Sequence, residues 1–76
     1  MARLTKAQRE VLELMVEFGT DIEMTGMGGR TMGRPYIARS TVHALVRHGW
    51  IELIQRGQYR ITEAGRRAVA RSDGGV

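Results

Sequence analysis

Apolar residues along the first third of the chain recur with a helical period. Val11, Leu14, Met15 and Phe18 stand at i, i+3, i+4 and i+7, and Leu12 and Val16 widen the stripe. Ahead of it, Thr5 and Gln8 form a capping-box pair, in which each side chain reaches the other's free backbone N–H. Behind it, Gly19 stands where a left-handed C-terminal cap is expected. The pattern predicts an amphipathic helix whose opposite, wet face carries Glu10, Glu13 and Glu17.

The periodicity then stops. Residues 20–36, TDIEMTGMGGRTMGRPY, hold four glycines and a proline, which argues against a helix. DIEM and RTMGRPY read as short extended pieces around a GMGG bend, so the expectation is a flexible connection or an irregular hairpin. The spaced glycines lack the Lys-Ser/Thr of a phosphate loop.

A helical pattern returns after Ser40, which reads as an N-cap. Val42, Leu45 and Val46 make its buried stripe, and Gly49 ends it. Arg39, His43 and Arg47 recur every four residues and so form one exposed basic row. WIELI and QYRIT follow as a two-stranded hairpin with Arg56-Gly57 as its tight turn. Trp50 reads as the core residue locking helix to hairpin, with base stacking as the alternative. Thr62 caps a last helix, EAGRRAVAR, whose thin apolar side is Ala64, Ala68 and Val69. The expected core is Val11, Leu14, Met15, Phe18, Val42, Leu45, Val46, Trp50, Ile51, Leu53 and Ile61. Residues 1–71 form one domain on this reading and 72–76 a disordered tail.

Bulk properties narrow the function. With 76 residues the core is modest, and a partner or a weak homodimer would add to its stability. The chain has no cysteine, hence no disulfide, thiolate metal site or thiol nucleophile, and two histidines are too few for a metal site of their own. No cofactor is implied. The N-terminus turns polar at once and no apolar run approaches bilayer length, so a cytoplasmic protein is the expectation. Charge is segregated. Residues 1–23 hold three basic and five acidic side chains, whereas residues 24–71 hold nine arginines against Glu52 and Glu63. Arginine's planar fork suits phosphate better than a lysine ammonium does, so this half carries the footprint expected of nucleic-acid binding, or of a solvated basic surface.

LTKAQREVLELM resembles the opening helix of MarR-like winged helix-turn-helix regulators. RSTVHALVRHGWIELI resembles their recognition helix running into the first wing strand, and GQYRITEAGRRAVA their second wing strand and next helix. Together these stretches cover residues 4–18 and 39–70. The resemblance implies an α+β, winged-helix-like domain of three helices with a two-stranded wing. It also implies that Ser40, Thr41, His43, Ala44 and Arg47, in a recognition helix at 40–48, face a DNA major groove. Arg56, at a wing tip of residues 56–57, would reach a neighbouring minor groove or phosphates; with Arg39 and Arg60 these form the expected DNA-binding set. The chain departs from the family where Gly-rich residues 20–38 occupy the place of the helix that braces the recognition helix.

The function expected is a small bacterial or phage-type binder of double-stranded DNA, in transcriptional control or DNA transactions. The alternative is a phage-type protein-interaction module that inhibits a nucleic-acid-handling complex, as anti-CRISPR inhibitors do, by meeting acidic protein or RNA. An enzyme is not expected, because nothing pairs a nucleophile with a base. If residues 20–38 are only a connector, their amides should exchange freely and Gly28 and Gly29 should accept alanine, both measurable by hydrogen exchange and thermal melts.

Overall fold

The computed structural model describes residues 4–74, with side chains to residue 70. The element order is α1 (Lys6–Phe18), β1 (Ile22–Thr25), β2 (Gly28–Thr31), β3 (Arg34–Ile37), α2 (Arg39–Arg47), β4 (Ile51–Gln55), β5 (Gln58–Ile61) and α3 (Glu63–Gly74). The fold is α+β, as expected. The sheet, however, has five antiparallel strands in the order β3-β2-β1-β5-β4, where a two-stranded wing was expected. The expected hairpin is its β4–β5 half.

α1 begins as the capping box predicts: the Thr5 N–H donates to Gln8 Oε1 (2.9 Å) and the Gln8 N–H to Thr5 Oγ1 (3.1 Å). It ends at Gly19 in the left-handed conformation (φ 62°). Of the two expectations for residues 20–36, the irregular hairpin holds and the flexible connection does not. β1 and β2 pair through Glu23–Arg30, Met24–Gly29 and Thr25–Gly28, and β3 returns along β2. Two of the glycines lie where a side chain would be crowded. A Cβ on Gly29 would lie 3.0 Å from Val42 of α2 and 3.1 Å from Ile22, so the bare strand lets α2 settle onto β1 and β2. A Cβ on Gly28 would meet the Ile37 carbonyl oxygen at 2.8 Å and the Tyr36 ring at 2.9 Å.

α2 starts without the expected Ser40 cap. Its N-cap is Ala38, which has no side chain to donate or accept, and Ser40 lies inside the helix. α3 is capped as expected, the Gly65 N–H donating to Thr62 Oγ1 at 3.0 Å. The same hydroxyl donates to the Gly49 carbonyl at 2.6 Å, and the Thr62 N–H reaches the Trp50 carbonyl at 2.9 Å. Gly65 is buried under that corner. Any Cβ there would collide with the Trp50 carbonyl oxygen and come within 2.7 Å of Ile61. α3 runs to Gly74, into the segment expected to be a tail; residues 75 and 76 lie outside the described residues.

The buried core is Val11, Leu12, Met15, Ile22, Ile37, Val42, Leu45, Trp50, Ile51, Ile61 and Val69. Four expected members are not fully covered. Leu14 is half-buried and Phe18 is 47% exposed, on the side of α1 that faces the β2–β3 turn at Gly33. Val46 is exposed beside the buried Val42–Leu45 stripe of α2. Leu53 is 59% exposed because β4 is an outer strand that runs beyond the cover of the helices. Ile22 and Ile37, from the glycine-rich segment, fill the space instead.

The packing predicts stability effects of definite sign. Leu45→Ala should cost about 2 to 5 kcal/mol, read as a large drop in melting temperature. Gly28→Ala should destabilise by about 1 to 3 kcal/mol, because its Cβ would meet the Ile37 carbonyl oxygen and its φ of 135° strains an L side chain, where a connector would be indifferent. Gly65→Ala would be favourable by roughly 0.5 to 1 kcal/mol in an unobstructed helix, but here it should lower the melting temperature. An unchanged or raised value for Gly65→Ala would remove the Trp50–Gly65 contact from the fold.

Candidate nucleic-acid interface

The expected DNA-facing residues divide once they are placed. His43 and Arg47 are exposed on α2, with Thr41 and Ala44 half-buried beside them. Ser40 is exposed in the first turn, and its hydroxyl is not taken up by capping. Arg39 is exposed at the start of α2, where its Nη2 donates to the carbonyls of Thr25 (3.1 Å) and Gly26 (3.3 Å) in the β1–β2 turn. Carbonyls position this guanidinium without cancelling its charge. Arg56 is exposed in the two-residue turn between Gln55 and Gln58, whose side chains hydrogen-bond across the hairpin.

Arg60 is separate from these. It pairs in register with Glu52 across β4–β5, on the strand positions alternating with buried Ile51 and Ile61. It therefore belongs to the open face of the sheet, where its Nε lies 3.4 Å from Asp21. Asp21 also accepts from Gln58 Nε2 at 2.7 Å. On the same face Arg30 Nε donates to Glu23 at 2.7 Å. A shallow depression of about 290 Å³ lies between Thr20, Asp21, Glu23, Arg30 and Thr31, and its charged groups are already engaged in these bonds. The open face is thus compensated pair by pair, with each exposed pair contributing about 0 to 1 kcal/mol.

The remaining arginines sort by the same criterion. Arg34 on β3 donates to Glu10 of α1 at 2.8 Å, and Arg67 lies 3.9 Å from Glu63 within α3. Among the described residues, Arg9, Arg39, Arg47, Arg56 and Arg66 have no carboxylate partner. α2 itself contains no acidic residue. Three of these arginines, Arg39, Arg47 and Arg56, lie on α2 and the β4–β5 turn, where a polyanion could replace water without first displacing a carboxylate, while Arg9 is on α1 and Arg66 on α3.

Trp50 is 7% exposed and its ring stacks on His48 with centroids 4.4 Å apart, so its indole serves the α2–β4 corner and is not a free stacking surface. Among the described residues no group of His, Asp and Glu is placed to hold a metal, and no helix is long and apolar enough to cross a membrane. Periodicity could not reveal the contact of Arg39 with the β1–β2 turn, because that contact joins residues far apart in sequence. Comparison with protein families, curated proteins and solved structures finds no match to this chain.

This placement predicts that the arginines are not equivalent for stability. Arg47→Gln and Arg56→Gln should leave the melting temperature unchanged within about 0.5 kcal/mol of stability. Arg34→Gln should lower it more than either, since it unties β3 from α1.

Proposed function

We propose that this chain is a small DNA-binding protein on a winged-helix plan, in transcriptional control or phage-type DNA transactions. In this reading α2 lies in the major groove and the β4–β5 turn rests on the flanking backbone. The supporting observation is the sorting of the arginines. Those on the open sheet face and on β3 are met by Asp21, Glu23 and Glu10, whereas Arg39, Arg47 and Arg56 have no carboxylate partner among the described residues, a condition shared by Arg9 on α1 and Arg66 on α3. A second favourable feature is rigidity: the Thr62 and Gly65 contacts at Trp50 hold α2, β4 and α3 in one corner, so the basic row of α2 has a fixed direction. The protein acts by binding, with no chemical step assigned to it.

Roles follow from position. Arg47, in the last turn of α2, is the base reader, since arginine can donate bidentately to a guanine edge. His43 lies one turn before it, and Ser40 and Thr41 suit bases or phosphates. Arg56 makes a phosphate or minor-groove contact from the turn. Arg60 is held by Asp21 and contributes less.

One observation favours the other reading, a protein-interaction module that meets an acidic protein or an RNA complex. The place of a bracing helix is taken by the β2–β3 hairpin, and a helix-turn-helix uses that helix on the DNA backbone.

The two readings separate in a salt series on duplex DNA. Log affinity should fall linearly with log salt, and Arg56→Gln should reduce the slope by about one unit. Arg47→Gln should cost about 1 to 3 kcal/mol on a specific site and relax preference at one base pair. Wild type without salt-dependent binding, or both variants binding like wild type, would overturn the DNA reading and leave the basic surface to a protein or RNA partner.

A further inference from the structure

Two turns that are far apart in sequence stand side by side at one end of the sheet. β1 runs antiparallel to β5, so its C-terminal end meets the β4–β5 turn: the Met24 N–H donates to the Gly57 carbonyl at 2.7 Å. The β1–β2 turn, Gly26-Met27, is therefore the neighbour of the Arg56-Gly57 turn. The start of α2 joins them, because Arg39 donates to the Thr25 and Gly26 carbonyls. At this end of the molecule Met27 projects from a turn that adjoins Arg39 and the Arg56-Gly57 turn, both arginines lacking a carboxylate partner among the described residues, while the exposed Tyr36 ring lies beside Gly28.

Met27 is 84% exposed. A single exposed apolar residue is ordinary on a protein surface. Met27 differs in being held. Thr25 Oγ1 accepts from the Met27 N–H at 3.1 Å and donates to the Gly28 carbonyl at 2.9 Å, closing the turn on itself. Arg39 then fixes the two carbonyls preceding Met27 from outside. A flexible loop would fold such a side chain back onto the protein or lose entropy on contact, whereas this turn keeps it projecting. Its flanking cations give the prong a polyanionic partner.

We infer that Met27 is a wedge that inserts between base steps of duplex DNA, with Arg39 and Arg56 on the phosphates either side, so that the protein bends the DNA it binds. Methionine suits this role. It is unbranched and polarizable, and apolar side chains of this kind unstack a base step and kink the duplex. The inference rests on the DNA-binding reading above. It adds a second contact region, the β1–β2 turn, which no reading of α2 and the wing alone supplies.

The experiment measures affinity and end-to-end energy transfer on a duplex labelled at both ends, with full-length wild type, Met27→Ala and Arg47→Gln. Met27 is exposed, so Met27→Ala folds as wild type does, checked by its melting curve. Wild type should bend the duplex by about 20 to 90°. Met27→Ala should bind about ten-fold more weakly, with an unchanged salt slope because no charge is removed, and should lose most of the bend. Wild type that binds without bending, or Met27→Ala that bends equally, overturns the wedge while leaving the DNA reading intact. No duplex binding by wild type removes both. Binding of anionic phosphatidylserine vesicles that Met27→Ala abolishes, without any DNA bend, overturns the wedge and gives the turn to a membrane surface.

Discussion

β1 is four residues long, yet it is hydrogen-bonded along both edges, to β2 on one side and β5 on the other. Without it the β2–β3 and β4–β5 hairpins would be separate two-stranded ribbons, each marginal in water. Its central position also creates the core. Ile22 is fully buried because α2 can approach the sheet closely, and α2 can approach because β2 presents the bare backbone of Gly29 beneath Val42. The same strand sets the surface. Asp21, just before it, and Glu23, within it, engage Arg60 and Arg30, which is why the open face of the sheet is electrostatically quiet.

A second junction orients the helices. The Trp50 carbonyl accepts from Thr62, the Thr62 hydroxyl reaches Gly49 and caps α3, and Gly65 has no Cβ where that carbonyl passes. The Thr-Glu-Ala-Gly run that carried much of the family resemblance thus has a mechanical explanation. Thr62 supplies one hydroxyl for two backbone groups, and Gly65 supplies room. Such a run makes a tight helix–strand corner whatever the protein binds, so it speaks for architecture more than for function.

Function, on the proposed reading, is a matter of which charges the fold leaves unmatched. Net charge of +4 says only that the surface is basic. The positions of the carboxylates turn that total into a pattern, since the fold spends Glu10, Asp21 and Glu23 on Arg34, Arg60 and Arg30. Among the described residues, what remains for a polyanion is the row on α2 and the adjoining β4–β5 turn, with Arg9 on α1 and Arg66 on α3 unpaired elsewhere. This also explains why Arg60, grouped with the DNA-binding set on sequence, separates from it in space.

Local chemistry alone determined the three helices, the capping box at Thr5, the left-handed stop at Gly19, the Arg56-Gly57 turn and the role of Trp50. Each depends on residues within a few positions of one another, where periodicity, capping and turn propensity act. Short extended pieces in residues 20–36 were legible as well, but their pairing was not. Four-residue strands carry too little alternation to reveal a partner, and glycine is as frequent in flexible linkers as in tight packing. Only the tertiary structure decided that Gly28 and Gly29 are packing sites, that Ile22 and Ile37 complete the core while Leu53 is left outside it, and that Asp21 engages Arg60. It alone brought Met27 beside Arg39 and Arg56. Those outcomes depend on contacts between elements separated in the chain, from Gly28 against Tyr36 to Asp21 with Arg60, for which the energy comes from excluded volume and charge pairing between elements; a one-dimensional pattern holds no record of either.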